Sequence, residues 1–422
     1  MSMDRKVPEI RFKGFSEEWV GSNLGGLIDI RSAARVHKEQ WTEAGIPFFR
    51  TSDVVSIYKG QENTKAYISK EVYHGLSEKI GKVTKNDLLI TGGGSIGIPY
   101  LVPNDNPLYF KDADLLWLKN NEKFNGYFLY TFFFSEPFKK HIKSISHTGT
   151  IAHYTIEQAK ATPINTCCDE EQTQIGNYFQ KLDVLINQHQ QKHNKLSNIK
   201  KSMLEKMFPK KGETIPEIRF KGFSGGWDEI SLLDSIERII DFRGRTPKKL
   251  GLDWSPSGYR ALSALNVKQG YIDFSIDPHF GDQELYDKWM NGSELHQGQV
   301  LFTTEAPMGN VAQVPNTDKY ILSQRTIAFV VNFEIIVEDF LAVLLRSYNV
   351  FRELSALSSG GTAKGVSQKV LANLNVCIPT DLVEQTAIGN YFQKLDVLIN
   401  QHQQQITKLN NIKQACLSKM FV

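Results

Sequence analysis

Apolar residues fall at intervals of three and four positions along the stretch from Glu171 to Phe208. This spacing predicts one long amphipathic helix, because residues three and four apart share one face of an α-helix. A helix of about 38 residues would be ~57 Å long at 1.5 Å per residue, which exceeds the width of one small domain. The apolar positions are Ile175, Phe179, Leu182, Ile186, Leu196, Ile199, Met203 and Met207.

The same pattern returns after Glu384, and the two apolar stripes are expected to cover each other as an antiparallel coiled coil with a pseudo-two-fold axis near His189 and His402. These histidines, with His193, indicate either a metal or pH-sensing layer or a polar layer that fixes the helix register, and the second interpretation is favoured. We assign the helix packing to Phe179, Leu182, Ile186, Leu196, Phe392, Leu395, Ile399 and Leu409.

The regions before the two predicted helices combine strand-like and helix-like segments. Short runs such as DLLITG and DLLWLK in the first region, and QVLFTT and TIAFVV in the second, are typical of strands. The apolar stretch from Phe124 to Phe138 is shorter than the ~20 residues that span a bilayer, so it predicts a buried helix. The fold class is therefore α+β, with two similar mixed α/β domains joined by two long antiparallel helices.

The chain contains its own duplicate. PEIRFKGFSEEW at residues 8–19 returns as PEIRFKGFSGGW at 216–227, and residues 171–191 return at 384–404 with one difference. The stretches between these blocks, 20–165 and 228–377, hardly match, although DLLITGGGSIG (87–97) faintly resembles QVLFTTEAPMG (299–309). We therefore divide the chain into a first segment and domain (1–167), a first long helix (168–211), a second segment and domain (212–380) and a second long helix (381–422).

Composition adds few constraints. A hydrophobic fraction of 41% and a charged fraction of 23% are ordinary for a globular protein, and the net charge of +3 does not by itself indicate a nucleic-acid binder. Residues 20–165 hold 17 basic and 14 acidic residues and residues 228–377 hold 14 and 18, so any affinity for DNA must come from local patches. Four cysteines without zinc-site spacing, and no leader segment, lead us to expect a cytoplasmic protein.

Motifs for catalysis are incomplete. Gly92, Gly94 and Gly97 fit GxGxxG, but IPYLVP follows where the motif needs a phosphate-binding helix, so we favour a turn between strands. The string Asp277-Pro278-His279-Phe280 lacks the second proline of the adenine methyltransferase motif, and no GxxxxGK[ST] is present. We expect no catalytic residues and no metal site.

The order of parts closely resembles the specificity subunits of type I restriction-modification systems. The resemblance covers the whole chain and lies in two variable domains, each opened by PEIRFKGF-x-x-W and followed by a near-identical helix with a Glu-Gln start and IGNYFQKLDVLI. It implies a non-catalytic subunit in which each domain is a target recognition domain for one half of a split, asymmetric DNA site. The paired helices would set the spacer between the halves.

The resemblance also implies partners and cofactors. The chain is expected to bind double-stranded DNA and to recruit methyltransferase subunits, two of them, and restriction subunits, without a membrane. It would bind no cofactor itself, while the complete complex would use S-adenosylmethionine, ATP and Mg²⁺.

Basic and small polar residues mark the expected DNA contacts, because Lys and Arg neutralise phosphates and polar side chains read base edges. RSAARVHK in the first domain and FRGRTPKK in the second each follow a short apolar run, and glycine-rich loops lie further along; a solvated loop is the alternative for each. The candidates are Arg31, Arg35, Lys38, Arg50, Thr91 and Ser95 in the first domain, and Arg243, Arg245, Lys248, Lys249, Thr304 and Lys364 in the second.

Two other classes of function stay open. A coiled-coil scaffold could bind protein ligands through both domains without any role for DNA; steep salt dependence of binding would separate it from a DNA reader. A nuclease or methyltransferase would act on DNA without partner subunits.

Overall fold

The computed structural model describes residues 6–145, 153–358 and 365–422, and the chain forms two compact units. The first unit comprises the chain up to His189 together with residues 405–422, and the second comprises residues 190–404. Each long helix therefore begins in one unit and ends in the other. Among the described residues, no helix has both the length and the apolar character that crossing a bilayer requires.

The first unit holds a mixed α/β domain followed by a long helix. Its elements are β1 (Val20–Asn23), α1 (Leu24–Leu27), β2 (Asp29–Arg31), β3 (Trp41–Thr42), β4 (Ile46–Phe49), α2 (Thr51–Lys59), β5 (Tyr67–Ile68), α3 (Lys70–Ile80), β6 (Leu88–Thr91), β7 (Pro99–Leu101), β8 (Tyr109–Phe110), β9 (Leu115–Lys119), α4 (Gly126–Phe132), α5 (Glu136–Ile145), α6 (Ile156–Lys160), β10 (Pro163–Thr166) and α7 (Asp169–Lys206).

Two four-stranded sheets form this first domain. An antiparallel sheet has the order β2-β9-β6-β7, and a second has the order β3-β5-β4-β8, in which β4 and β8 run parallel. β1 pairs with β10 and so joins the start of the domain to its end. The buried carboxylate of Asp87 accepts hydrogen bonds from the Trp117 indole and the Asn120 backbone, which ties β9 to the turn before β6.

The second unit repeats this plan. Its elements are β11 (Asp228–Ser231), β12 (Ile236–Asp241), β13 (Tyr259–Leu262), β14 (Phe280–Gly281), α8 (Gln283–Met290), β15 (Val300–Thr303), β16 (Val311–Gln313), β17 (Tyr320–Leu322), β18 (Thr326–Val331), α9 (Glu338–Leu344), α10 (Tyr348–Leu357), α11 (Gln368–Ala372), β19 (Asn375–Ile378) and α12 (Leu382–Lys419).

Sheet order shows that the two domains share one fold. The antiparallel sheet β12-β18-β15-β16 matches β2-β9-β6-β7, and β14-β13-β17 matches β5-β4-β8, including the parallel pair of β13 with β17. The predicted fold class, two similar mixed α/β domains with two long helices, is confirmed. One difference lies after β4 and β13: the first domain forms α2, whereas the second forms turns with an isolated bridge between Val267 and Ile272.

The stretch from Phe124 to Phe138 is not one helix, so the prediction of a single buried helix is wrong. α4 ends at Phe132 and α5 begins at Glu136. Between them Ser135 is fully buried and its hydroxyl donates to the carbonyl of Phe132. The aromatic side chains themselves are buried as expected: Phe128, Phe132 and Phe138 belong to the core of the first unit.

The long helices pair antiparallel within each unit. In the first unit the Asp183 carboxylate binds Lys413 at 2.5 Å and Tyr178 contacts Cys416. Residues further along α7 therefore contact residues earlier in α12. In the second unit Asp396 binds Lys200, and Phe392 contacts Phe208. His189 belongs to the first unit and His402 to the second, and the layer predicted to include both stays a prediction.

Residues predicted for helix packing lie on the inner faces of the helices. Phe179 and Leu182 are in the core of the first unit, and Leu409 packs against it. Phe392 and Leu395 are in the core of the second unit, and Leu196 packs against that. Ile186 and Ile399 are half-buried.

The repeated Glu-Gln start of each long helix has a structural reason. The buried Glu171 carboxylate accepts two hydrogen bonds from Arg11, at 2.7 and 2.8 Å, and Glu384 accepts the equivalent two from Arg219, both at 2.7 Å. The next residue, Gln172, bonds the backbones of Asn125 and Cys167. The repeated PEIRF segments and the repeated helices therefore form one hydrogen-bonded frame in each unit.

Candidate nucleic-acid interface

Loops gather at one end of the antiparallel sheet in the first unit. Gly92, after β6, donates its N–H to the carbonyl of Asp114 at 2.8 Å and accepts the N–H of Tyr154 at 2.8 Å. The N–H of Ala113 donates to the Ser32 hydroxyl, after β2. We call the described residues 31–38, 92–98, 111–114 and 153–157 loop cluster 1.

The second unit builds the same arrangement. Thr304, after β15, donates its N–H to the carbonyl of Arg325 at 2.8 Å and accepts the N–H of Val366 at 2.8 Å. Gln324 donates to the carbonyl of Arg245, which follows β12. We call residues 242–250, 304–310, 323–325 and 365–368 loop cluster 2. Four chain segments that are distant in sequence thus meet in each unit.

Three predicted residues of cluster 1 present charge to solvent. Arg31 pairs with Asp29 at 2.5 Å and is half-exposed. Arg35 and Lys38 are exposed, and neither side chain has an ion-pair or hydrogen-bond partner in the described parts of the chain. Arg35 and Lys38 therefore have cationic groups available for phosphate.

Arg50 has a different environment. Its guanidinium donates to both oxygens of Asp53 and to the carbonyl of Thr64, and it lies 5.8 Å from the centre of the Trp41 ring. Hydrogen bonding by Asp53 raises the pKa of Arg50 despite partial burial. Because these groups engage its Nε and Nη2 donors, Arg50 fixes the start of α2 in this structure.

Thr91 is fully buried. Its hydroxyl donates to the carbonyl of Ser95 and accepts from the N–H of Ile98 at 2.9 Å, which closes the loop between β6 and β7. A direct contact between Thr91 and DNA is therefore not open in this conformation, and its part is to shape the loop. Ser95 itself is exposed.

The two predicted arginines of cluster 2, Arg243 and Arg245, are held by neighbours. Arg243 forms a fork with Asp241, and although burial would raise the pKa of that carboxyl, the hydrogen bonds from Arg243 hold it below its ordinary value. Arg245 donates to the carbonyl of Trp289 and lies 4.5 Å from the centre of the Phe242 ring. Both arginines therefore order the loop.

Both predicted lysines of cluster 2 are exposed to solvent. Lys248 is exposed without a side-chain partner among the residues described, while Lys249 donates to the carbonyl of Gly244 at 2.6 Å. Thr304 is 1% exposed and its hydroxyl donates to the carbonyl of Arg325, so it is a loop-forming residue like Thr91. Lys364 lies outside the described residues.

Sequence reasoning missed the ion pair between Glu305 and Arg325, whose Oε1 and Nε atoms lie 3.2 Å apart in cluster 2. Glu305 aligns with Gly93, and the strand registers align Arg325 with Asp114, so a comparison of the two domains could have drawn attention to the change of residue type at both positions.

The first unit also contains a cleft of about 1230 Å³ beside the helices. Within it Tyr127 donates to Asp183 at 2.6 Å, and burial together with that carboxylate raises the pKa of the phenol. The phenol therefore stays a hydrogen-bond donor. Among the described residues, no group of three or more His, Cys, Asp or Glu side chains is placed to hold a metal ion.

Two domains of one fold, carried on a repeated frame and differing at their loop clusters, define a recognition protein with two binding modules. The family of the type I restriction modification DNA specificity domain matches the sequence twice, over residues 16–198 and 227–411. The chain belongs to this family. Specificity subunits of type I restriction-modification systems are non-catalytic, and so is this chain.

Individual relatives agree with the family. A putative type I restriction enzyme specificity subunit of Haemophilus influenzae is 28% identical over 167 residues, which are 39% of this chain and 40% of that protein. The MjaVIII specificity subunit of Methanocaldococcus jannaschii is 23% identical over 400 residues, 88% of this chain and 91% of that protein. The crystal structure of a type I S subunit from M. genitalium has a TM-score of 0.60 at 15% identity, covering 99% of both chains, and shows a shared fold.

Proposed function

We propose that this chain selects the DNA sequence on which a type I restriction-modification complex acts. Each variable domain reads one half of a bipartite, asymmetric site through its loop cluster, and the two long helices set the spacer. The methyltransferase and restriction subunits, with their S-adenosylmethionine, ATP and Mg²⁺, are recruited to this frame and supply the chemistry.

The observation that carries the proposal is a contrast between backbone and side chains: the backbone bonds of the two loop clusters correspond, whereas their exposed side chains differ. Corresponding backbone bonds hold both clusters: Gly97 donates to the carbonyl of Thr91 at 2.7 Å, and Gly309 donates to that of Thr303 at 2.9 Å. The exposed side chains on this shared backbone differ, with Arg35 and Lys38 in one domain and Lys248 and Arg325 in the other. One scaffold with two sets of exposed groups suits the reading of two different half-sites.

The repeated helices support two docking sites for one kind of partner. Val184 and Leu185 are 48% and 42% exposed, and their equivalents Val397 and Leu398 are 51% and 43% exposed. Both pairs stand in the same LDVLIN sequence. Exposed apolar groups on a helix favour a protein partner, and two identical surfaces favour two copies of one methyltransferase subunit.

The test is to express the chain with its methyltransferase subunits and map the methylated positions in DNA. We expect a split motif, and exchange of residues 20–165 for the variable domain of a relative should change one half only. A second expectation concerns salt: Arg35→Ala should weaken DNA binding equally on all sequences and lower the slope of log affinity against log salt by about 1. Arg238→Ala, which removes an exposed arginine outside the loop clusters, is the matched control. Methylation without a split motif, or binding insensitive to salt, would contradict the proposal.

A further inference from the structure

The two loop clusters differ in charge at a pair of corresponding positions. Gly93 and Asp114 of cluster 1 correspond to Glu305 and Arg325 of cluster 2, because Gly92 donates its N–H to the carbonyl of Asp114 and Thr304 donates to that of Arg325. The turn is one residue longer in the first domain, and each turn contains one left-handed residue, Ala113 with a φ angle of 61° and Arg325 with 64°. Cluster 2 therefore carries the exposed ion pair of Glu305 and Arg325 where cluster 1 carries Gly93 and Asp114, whose carboxylate pairs with Lys111.

Stability does not account for this pair. The side chains of Arg325 and Glu305 are 57% and 40% exposed, and ion pairs in such surroundings contribute little to folding because water screens them. A left-handed conformation is also unfavourable for an arginine compared with glycine or asparagine. The fold therefore gains little stability from an arginine at position 325.

The geometry leaves the recognition end of Arg325 available. Glu305 engages the Nε atom at 3.2 Å. The Nη1 and Nη2 atoms have no hydrogen-bond partner within the described ranges of the chain. A guanidinium can donate two parallel hydrogen bonds to O6 and N7 of guanine in the major groove. The carboxylate restricts rotation of the guanidinium before binding, which reduces the ordering cost on DNA.

We propose that Arg325 reads a guanine in the half-site of the second domain, with Glu305 as its positioning residue. This rests on the function proposed above. The first domain has Gly93 and the acidic Asp114 at the corresponding positions and no arginine there, so its half-site is read by other side chains. Arg325 is therefore a specificity-determining residue of one domain only.

The test uses the full chain with its methyltransferase subunits and reads the methylated motif from a randomised DNA library. Arg325→Ala places alanine in a left-handed conformation, which Ala113 already adopts in the turn of the first domain, so the turn should be preserved. We expect the preference for guanine at one position of one half-site to fall roughly 10-fold to 100-fold. The rest of that half-site and the whole of the other should not change.

Two further variants sharpen the result. Glu305→Gln should weaken the preference at the same position, by less than Arg325→Ala does. Arg238→Ala, which removes an exposed arginine from β12 outside the cluster, should leave the motif unchanged. An unchanged motif in Arg325→Ala, or a uniform loss of methylation without a change in base preference, would overturn the inference. Absence of any split motif in the unsubstituted protein would instead overturn the function proposed above.

Discussion

The buried ion pair between Arg11 and Glu171 allows a quantitative test of the frame. The Glu171 and Arg11 side chains are 1% and 11% exposed, and two hydrogen bonds join them. Glu171→Gln keeps the size of the side chain but removes its charge and one acceptor oxygen. Arg11 then stays in the interior without a counter-ion, which we expect to be the main cost of the substitution.

Removing one partner of a buried ion pair typically costs ~3–5 kcal/mol. The lower end is expected here, since Arg11 keeps some contact with water. For a unit of this size, ~3 kcal/mol corresponds to a fall of about 6–12 °C in the melting temperature. The equivalent Glu384→Gln should cost less, because Arg219 also donates to the carbonyl of Gly225 at 2.6 Å. The Nη1 atom of Arg11 is buried without a partner among the described residues.

The assay is thermal and urea unfolding of the purified chain and both variants. The double variant Arg11→Met/Glu171→Met is the control, because replacing both members of a buried pair by apolar groups is often nearly neutral. The reasoning is refuted if Glu171→Gln costs less than ~1 kcal/mol, the value typical of an exposed pair, or if the double variant is less stable than the single one.

Three further predictions concern the same units. Gly176→Ala should cost ~1–3 kcal/mol in unfolding experiments, because the added methyl group would overlap the Asn125 side chain, which caps α4 by accepting the N–H groups of Tyr127 and Phe128. Asp396→Asn should lower the free energy of unfolding by ~3 kcal/mol or more, because it leaves Lys200 and Arg346 facing each other without a carboxylate. Asp183→Asn should lower it by only ~1–2 kcal/mol. The pKa of Asp241 is held low by Arg243, so this contribution to stability is present above its unfolded pKa of about 4 and is lost as pH falls through the folded pKa. The stability difference between the protein and Arg243→Ala should therefore shrink when denaturation is followed from pH 7 to pH 2.

The long helices and the duplicated plan could be predicted from sequence because both are periodic signals. Apolar spacing placed Phe179 and Leu182 on one face of the first long helix, and Phe392 and Leu395 on one face of the second. The first pair lies in the core of the first unit and the second pair in the core of the second unit. Apolar spacing did not show the break in the run from Phe124 to Phe138, where α4 ends at Phe132 and α5 begins at Glu136 with Pro137 in its first turn.

The candidate interface was predicted less completely, because residue type does not reveal which hydrogen bonds a side chain makes. Thr91 and Thr304 have the composition of loop residues, yet both are buried. Arg50 and Arg243 were predicted to contact DNA, yet each forms an ion pair with a carboxylate close in sequence, Asp53 and Asp241. Only the folded geometry separates a cation that orders a loop from one that is available for phosphate.

Sequence comparison also could not show which helix end each PEIRF segment contacts. In the first unit Ile10 donates its N–H to the carbonyl of Lys419, near the end of α12. In the second unit Ile218 donates to the equivalent carbonyl of Lys206, near the end of α7. The same bond is therefore made between the two ends of the chain in one unit and between near neighbours in the other. The same contact therefore forms whether its two residues are close together or far apart in the sequence.

This frame explains how recognition can change while the fold stays constant. The bonds shared by both loop clusters are made by backbone groups and by buried hydroxyls at Thr91 and Thr303, which accept from Ile98 and Asn310 at 2.9 Å. None of these shared bonds involves the side chains at positions 93, 114, 305 or 325. A substitution at those four positions can therefore alter the exposed groups without removing a contact on which the domain depends. That separation is what a protein needs if its two halves are to read different sequences with one fold.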